Sequence, residues 1–440
     1  MNYENYKSLL KEFVSFKSIS TDENYKSDVA AVAKWLYDLM SRFGLDVKLV
    51  SGYGNDIVLG KYVVSPDANT VLIYGHYDVQ PASKEEGWKK DPFELYEDDN
   101  KLYARGVVDN KGQILIHLFT VIELIQKSQL RYNVVFMIEG NEETGSPLLD
   151  KFVQDYVNEL KCDFVFFSDG ELTMSHPVIE TGFRGIVNVI LKITTSQKDN
   201  HSGLYGGTIP NAAHVLSRLI ADMHDDNGVL MLPGLDNTVE GIDKRLVKDS
   251  ESIPFDEDTF LRNTGAKVRF NNKMNFYLQN GYLTSAEVTT LSAGYLGEGF
   301  RNAIPGTAIA KINFRISPKH SSQEVLNAFE NYLQSHMPSY ADYSLEFSEA
   351  CEPILIDVNN AYASELKSIA HQVYGKDCYF KLCGAIVPVA GTFQSILKVP
   401  VISLGLGNED CNMHGVNENY DIELIKKGLY LSNKFLSRNK

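Results

Sequence analysis

Cysteine is scarce in this chain. The 440 residues hold five, Cys162, Cys351, Cys378, Cys383 and Cys411, an odd number with no C-x-x-C pair. That excludes a disulfide framework and a zinc ribbon, and it fits a reducing compartment. Long apolar runs are missing too. No window approaches roughly 18 uncharged apolar residues, so no membrane span is expected. Met1 to Phe16 carries Lys and Glu among its apolar residues and lacks the continuous apolar core of a signal peptide. The expectation is a soluble, cytoplasmic protein. Clustered basic charge is absent: 42 Lys and Arg stand against 57 Asp and Glu, a net charge of −15. Such a chain is unsuited to wrapping nucleic acid or docking on anionic lipid. There is no internal repeat, no low-complexity tract and no long Pro/Gly/Ser linker. These absences leave a protein that acts on something small.

A composition of 44% hydrophobic and 22% charged residues is globular. At about 150 residues per folding unit, the length suggests two to three units. Four short apolar runs read as buried strands: Thr70–Tyr74, Asn133–Ile138, Asp163–Phe167 and Val399–Leu404. Between them lie an amphipathic helix over Asp28–Met40 and a helix over Lys111–Gln126 that is apolar on nearly every side. This alternation predicts an α/β domain with a largely parallel sheet and helices on both faces. The middle of the chain differs. Gly185–Thr194, Ala308–Ile316 and Tyr343–Phe347 alternate like half-exposed strands, and Asn211–Met223 and Ser322–Ser335 read as helices. They predict an inserted α+β domain, so the expected division is 1–182, 183–355 and 356–440, with the first and last parts forming one catalytic domain. The stretch 228–300 has no clear pattern.

In an open α/β sheet, ligands bind beyond the carboxyl ends of the strands. The residues there are Gly75-His76-Tyr77-Asp78, Glu139-Gly140-Asn141-Glu142-Glu143, Ser168-Asp169 and the Gly405-Leu406-Gly407 loop running to His414, with Val108-Asp109-Asn110 just before the apolar helix. Each piece has an ordinary reading, as a loop hydrogen bond, a solvated turn or an N-cap. Together they converge two His and several carboxylates on one edge. Imidazole with hard oxygen ligands suits Zn, Mn or Co. The number of ligands points to two metals bridged by a carboxylate and clamping an attacking water.

The motifs resemble the M20 family of metallopeptidases, and most its dipeptidase (carnosinase-like) branch. They are Gly75 to Pro81, Trp88 with Asp91-Pro92-Phe93, Tyr103 to Gly112, Glu139 to Ser146, Gly182-Phe183-Arg184-Gly185, His201-Ser202-Gly203 with Gly206-Gly207, and His414 with Asn417-Glu418. They run in the family's order from residue 71 to the C-terminus. The resemblance implies that His76 and Asp169 hold one metal, that Glu143 and His414 hold the other, and that Asp109 bridges both. It implies two divalent ions, Zn first, with Mn or Co as alternatives. By the same resemblance Asp78 orients His76 from behind, Glu142 is the general base acting on the metal-bridging water, and the Asp109–Asn110 peptide is cis. In resembling dimers a histidine matching His201 reaches the partner's site and stabilises the oxyanion, and an arginine matching Arg315 binds the substrate's C-terminal carboxylate. The inserted domain would then be a lid and dimerisation domain. His117 reads as a core residue.

Two substrate elements depart from the family. Its Arg-Glu-Gly-Gly-Ser-Ile-Pro loop is Leu382-Cys383-Gly384-Ala385-Ile386-Val387-Pro388 here, so Leu382 replaces Arg and Ile386 replaces Ser. The substrate-binding Thr expected in the family's Lys-Thr-Val-Ile-Pro element is Asn302. The expectation is a dinuclear-metal hydrolase of a dipeptide or similar small amide, with a pocket more apolar or differently shaped than one for a plain dipeptide. The alternatives are an N-acyl-amino-acid deacylase on the same scaffold and a catalytically silent binding protein. The intact Glu142 disfavours the last.

Overall fold

The computed structural model describes all residues except Met1, Asn272, Glu349, Ile386, Asn439 and Lys440. The chain divides into two compact units. One comprises Met1–Thr181, Ile356–Phe380 and Pro388–Lys440, and the other Gly182–Leu355 with Lys381–Val387.

The first unit is built on a large mixed sheet. Its path runs Asp46–Val50, Ile57–Tyr62, Asn133–Glu139, Thr70–His76, Phe164–Phe167 and Val401–Leu404. The last four are mutually parallel. They are the strands read from the apolar runs, and Asn133–Glu139 is buried along its whole length. Ile57–Tyr62 and Asp46–Val50 extend one side antiparallel. They escaped the sequence reading because polar residues interrupt them. Ile179 and Glu180 pair antiparallel with Leu404 and Ser403 on the other side.

Helical segments cover both faces, as successive residues of one strand show. Tyr74 packs edge-on against Phe393, with ring centroids 5.5 Å apart. The next residue, Gly75, lies against Ile114 of the helix Lys111–Gln126, where an added Cβ would come within 2.7 Å. That helix is buried through two turns and more because it is enclosed by other helices as well as the sheet, including Tyr3–Ser15 and Ile422–Leu436.

The second unit is a four-stranded antiparallel sheet in the order Ser285–Ala293, Thr307–Ile316, Gly185–Thr194 and Asp342–Phe347. Burial alternates strictly along Gly185–Thr194, as one packed and one wet face require. Helices Ala212–Ala221 and Ser322–His336 pack on the apolar face. Phe314 meets Phe329 at 5.2 Å, and Tyr332 donates to the Leu219 carbonyl at 2.7 Å, tying the helices together. Ser321 and Glu324 start the second helix with a reciprocal capping box. The unassigned stretch 228–300 contains three short helices, Lys244–Ser252, Glu257–Thr264 and Phe276–Tyr282, before its strand. Asp243, Asp256 and Asn275 cap them. Two of the three are too polar and all are too short to announce themselves by periodicity.

A close approach at Gly112 fixes the start of the apolar helix. A Cβ there would lie 1.9 Å from the backbone oxygen of Val107. Gly112→Ala is therefore expected to cost about 2 kcal/mol or more of stability, in the range of overpacked cores, read as a fall in denaturation midpoint. A midpoint within error of the parent would contradict this packing.

Candidate metal centre

The first unit's strands deliver the charged groups at their carboxyl ends. His76 is the last residue of Thr70–His76 and is fully buried. Glu142 and Glu143 open a single helical turn after Asn133–Glu139. Asp169 follows Phe164–Phe167, and His414 lies in the loop after Val401–Leu404. Asp109 precedes the helix Lys111–Gln126, and its peptide bond to Asn110 is cis.

Asp109 presents a different oxygen to each imidazole. Its Oδ1 is 3.1 Å from His76 Nε2, and its Oδ2 is 2.8 Å from His414 Nε2. Asp169 Oδ2 stands 3.7 Å from the same His76 nitrogen, and Glu143 Oε2 stands 3.4 Å from that of His414. Two triads result, His76–Asp109–Asp169 and Asp109–Glu143–His414, each with its ligand atoms within 4.8 Å of one another. The geometry distinguishes the adjacent glutamates. Glu143 accepts from Gln80 Nε2 at 2.6 Å and faces His414, whereas the Glu142 carboxylate makes no hydrogen bond or ion pair among the described residues.

Other residues hold these groups in place. The buried Asp78 carboxylate lies 3.3 Å from His76 Nδ1 and also accepts from Ser20 Oγ and from the backbone N–H groups of Glu142 and Glu143. One carboxylate thus orients both an imidazole and the glutamate turn. Glu418, fully buried, accepts from Arg105 and from the N–H groups of Gly106, Val108 and Asp109, which sets the Asp109 loop. Asn110 donates to Asp169 Oδ1 at 2.9 Å. His414 itself sits at φ 62°, a left-handed conformation rare for a side chain of its size. Gln80, Arg105, Asn110 and Glu418 lie inside the quoted motifs, but nothing in their spacing announced these contacts. Ser20 carried no signal at all. His117 is buried between Ser168 and Ser432, and burial holds its imidazole neutral, down to about 3.

The cluster is electrostatically incomplete as protein alone. Burial and then the Asp109 charge push Glu143 up to about 7, and burial raises Asp169 and Glu142 above the usual carboxylate range. Hydrogen bonding to Asp109 lifts His414 to about 9. Burial alone would lower His76, but its bonds to Asp109 and Asp78 prevail and raise it well above normal. Crowded carboxylates, raised together beside two imidazoles, fit divalent cations held by nitrogen and oxygen.

The remaining expected site residues belong to the second unit. His201 is exposed, and its Nδ1 accepts from Gly203 N at 3.0 Å. It pairs across a short ladder with Ala303, and Ser202 N donates to the Asn302 carbonyl at 3.0 Å, so His201 and Asn302 are neighbours. Arg315 lies on the sheet's polar face. Leu382 is 1% exposed and packs against Gly182 and Gly281. Ile386 lies outside the described residues.

Comparison with known proteins agrees with this reading. Residues 72–438 match peptidase family M20/M25/M40. The chain is 28% identical to the Cys-Gly metallodipeptidase of Saccharomyces cerevisiae over 454 residues, covering 96% of this chain and 92% of that one. It is 26% identical to the human Beta-Ala-His dipeptidase, covering 95% and 87%. Among solved structures, an M20 family metallo-carboxypeptidase from Sulfolobus solfataricus superimposes with a TM-score of 0.81 at 26% identity, covering 99% of both chains. The fold and its clustered ligands define a metal-dependent hydrolase. The chain belongs to peptidase family M20/M25/M40. Among the described residues, no helix is long and apolar enough to cross a membrane.

A stability prediction follows from the charges. Glu143, Asp169, His76 and His414 all bind protons more tightly folded than unfolded, so without metal the fold loses stability as pH rises from about 5 to about 9. Metal binding requires the deprotonated ligands and gains with pH. Thermal melts of chelator-treated protein should show Tm falling across that window, and added zinc should restore it most at the alkaline end. A metal-free Tm that rises with pH would contradict the assignment.

Proposed function

We propose that this protein is a dipeptidase that uses two divalent ions, zinc first among them. The observation that carries this reading is Asp109, which turns one oxygen to the His76 group and the other to the His414 group. His76 and Asp169 would hold one ion, Glu143 and His414 the other, with Asp109 shared. Such ions, when bound, supply a Lewis acid for the scissile carbonyl and lower the pKa of water.

The chain's own residues do the rest. Glu142, whose carboxylate makes no hydrogen bond among the described residues and is raised by burial, takes a proton from the attacking water and delivers it to the leaving amine. Asp78 holds the His76 ring and the Glu142 turn in register. Arg315 binds the substrate's terminal carboxylate. His201, with Asn302 beside it, serves the oxyanion in the site of a partner subunit, and the second unit acts as lid and dimerisation domain. The exposed Leu204 and Tyr205 next to His201 favour such an interface. The dipeptidase names of the relatives support the substrate class. That none of the five cysteines is in a disulfide favours a cytoplasmic setting.

A screen of dipeptides and N-acyl amino acids with Zn and Mn, read by released amine, should find hydrolysis of dipeptides. Glu142→Ala should keep both ions, counted by metal analysis, and lose about 10²–10⁴ in kcat; retained turnover would remove Glu142 from this role. Mixing His201→Ala with Asp109→Ala should restore activity that neither variant has alone. No recovery in the mixture would count against a site shared between subunits.

A further inference from the structure

The polar face of the second unit's sheet carries two guanidinium groups, and among the described residues neither forms an ion pair with a carboxylate. Arg315 stands opposite Ile186 on one neighbouring strand and Ser285 on the other. Its strand neighbours Phe314 and Ile316 are buried in the core, so Arg315 lies on the opposite face with Asn313. Arg184 immediately precedes Gly185–Thr194, and one of its terminal nitrogens donates to Ser285 Oγ at 3.3 Å. Facing residues in a sheet have Cβ atoms about 4.5–5.5 Å apart. The two arginines therefore share one patch, with Ser285 between them.

Their hydrogen bonds differ in kind. Arg184 donates to the Gly384 carbonyl at 3.3 Å, the Leu283 carbonyl at 3.4 Å, Ser285 Oγ, and Asn280 Oδ1 at 3.2 Å. All four acceptors are neutral, and one N–H of the guanidinium is left over. Arg315 uses only Nε, toward Asn313 Oδ1 at 3.1 Å, and its two terminal nitrogens have no acceptor among the described residues. Glu287 is on the same face but is exposed and makes no ion pair with either arginine. Burial, and then the charge of Arg315, lowers Arg184 to about 10, against smaller opposing effects of Cys383 and Glu287. A half-buried cation beside a second cation, offset only by the unbonded charge of the exposed Glu287, is costly, and a ligand's negative charge would relieve it.

We propose that Arg184 and Arg315 form a receptor for a doubly negative carboxyl-terminal residue, so that the enzyme prefers dipeptides ending in Asp or Glu. The free fork of Arg315 takes one carboxylate bidentately. Arg184, held rigid by neutral acceptors, supplies the field and one N–H for the second. This proposal rests on the dipeptidase reading above.

The test uses the full-length, metal-loaded protein. Calorimetric titration should show N-acetyl-L-glutamate binding about tenfold or more tightly than N-acetyl-L-glutamine, its neutral isostere, the size of one charge-assisted hydrogen bond. Gly-Glu should be hydrolysed with a correspondingly higher kcat/KM than Gly-Gln. Arg184→Gln should abolish both preferences. Because Arg184 also clamps four neighbours, Cys383→Glu provides a second variant. It keeps the arginine and places a competing carboxylate next to Gly384, and it too should erase the preference. Equal binding of the two ligands by the parent protein, equal turnover of the two dipeptides, or a preference that survives both substitutions would overturn the receptor. Selective binding of the acidic ligand with no amine released from either dipeptide would uphold the receptor and overturn the dipeptidase reading instead.

Discussion

Asp109 is asked to satisfy two imidazoles at once, and most of the first unit's architecture can be traced to that demand. Its oxygens lie 3.1 Å from His76 and 2.8 Å from His414. A carboxylate in this position must be buried, aimed within a fraction of an ångström and kept from collapsing onto one partner. The Glu418 carboxylate meets this need by accepting the N–H groups of Gly106, Val108 and Asp109 and the Arg105 guanidinium, which sets the backbone that carries Asp109. Arg105 in turn donates to the His414 carbonyl at 3.2 Å, so the same ion pair touches both ends of the bridge.

A second carboxylate, Asp78, plays the matching part on the other side. It meets His76 Nδ1 and receives the backbone of the Glu142–Glu143 turn. Ligand orientation and the placement of the free Glu142 are thereby coupled through one buried group. Displacement of that group would disturb both together, and this economy explains why adjacent glutamates can have different tasks. Glu143 is tied to Gln80 and His414, and Glu142 is tied only through its backbone.

The two units contrast in charge. The edge of the first is crowded with carboxylates whose protonation is raised by burial and mutual repulsion, a cradle for cations. The polar face of the second pairs two arginines over neutral acceptors, a cradle for anions. The acidic net charge of the whole chain conceals the basic one.

Much of this was legible before any coordinates. The four apolar runs became the parallel core because strands buried on both faces must be uniformly apolar, and their ends marked His76, Glu143, Asp169 and His414 because ligands gather where such strands stop. The packed and wet faces of Gly185–Thr194 were legible from its strict alternation. What resisted reading was everything set by contacts between distant segments. Short capped helices in 228–300 have too few turns to show a period. Leu382 is buried because its surroundings come from Gly182 and Gly281, which are far off in sequence. Glu418 was legible only as part of a motif, and its role as the buried anchor of a loop some 310 positions away comes from the fold. Residue types and their order prescribe which chemistry is available. Which oxygen faces which nitrogen, and which charge lacks a partner, emerge only when the folded chain brings remote residues together and takes water away from them.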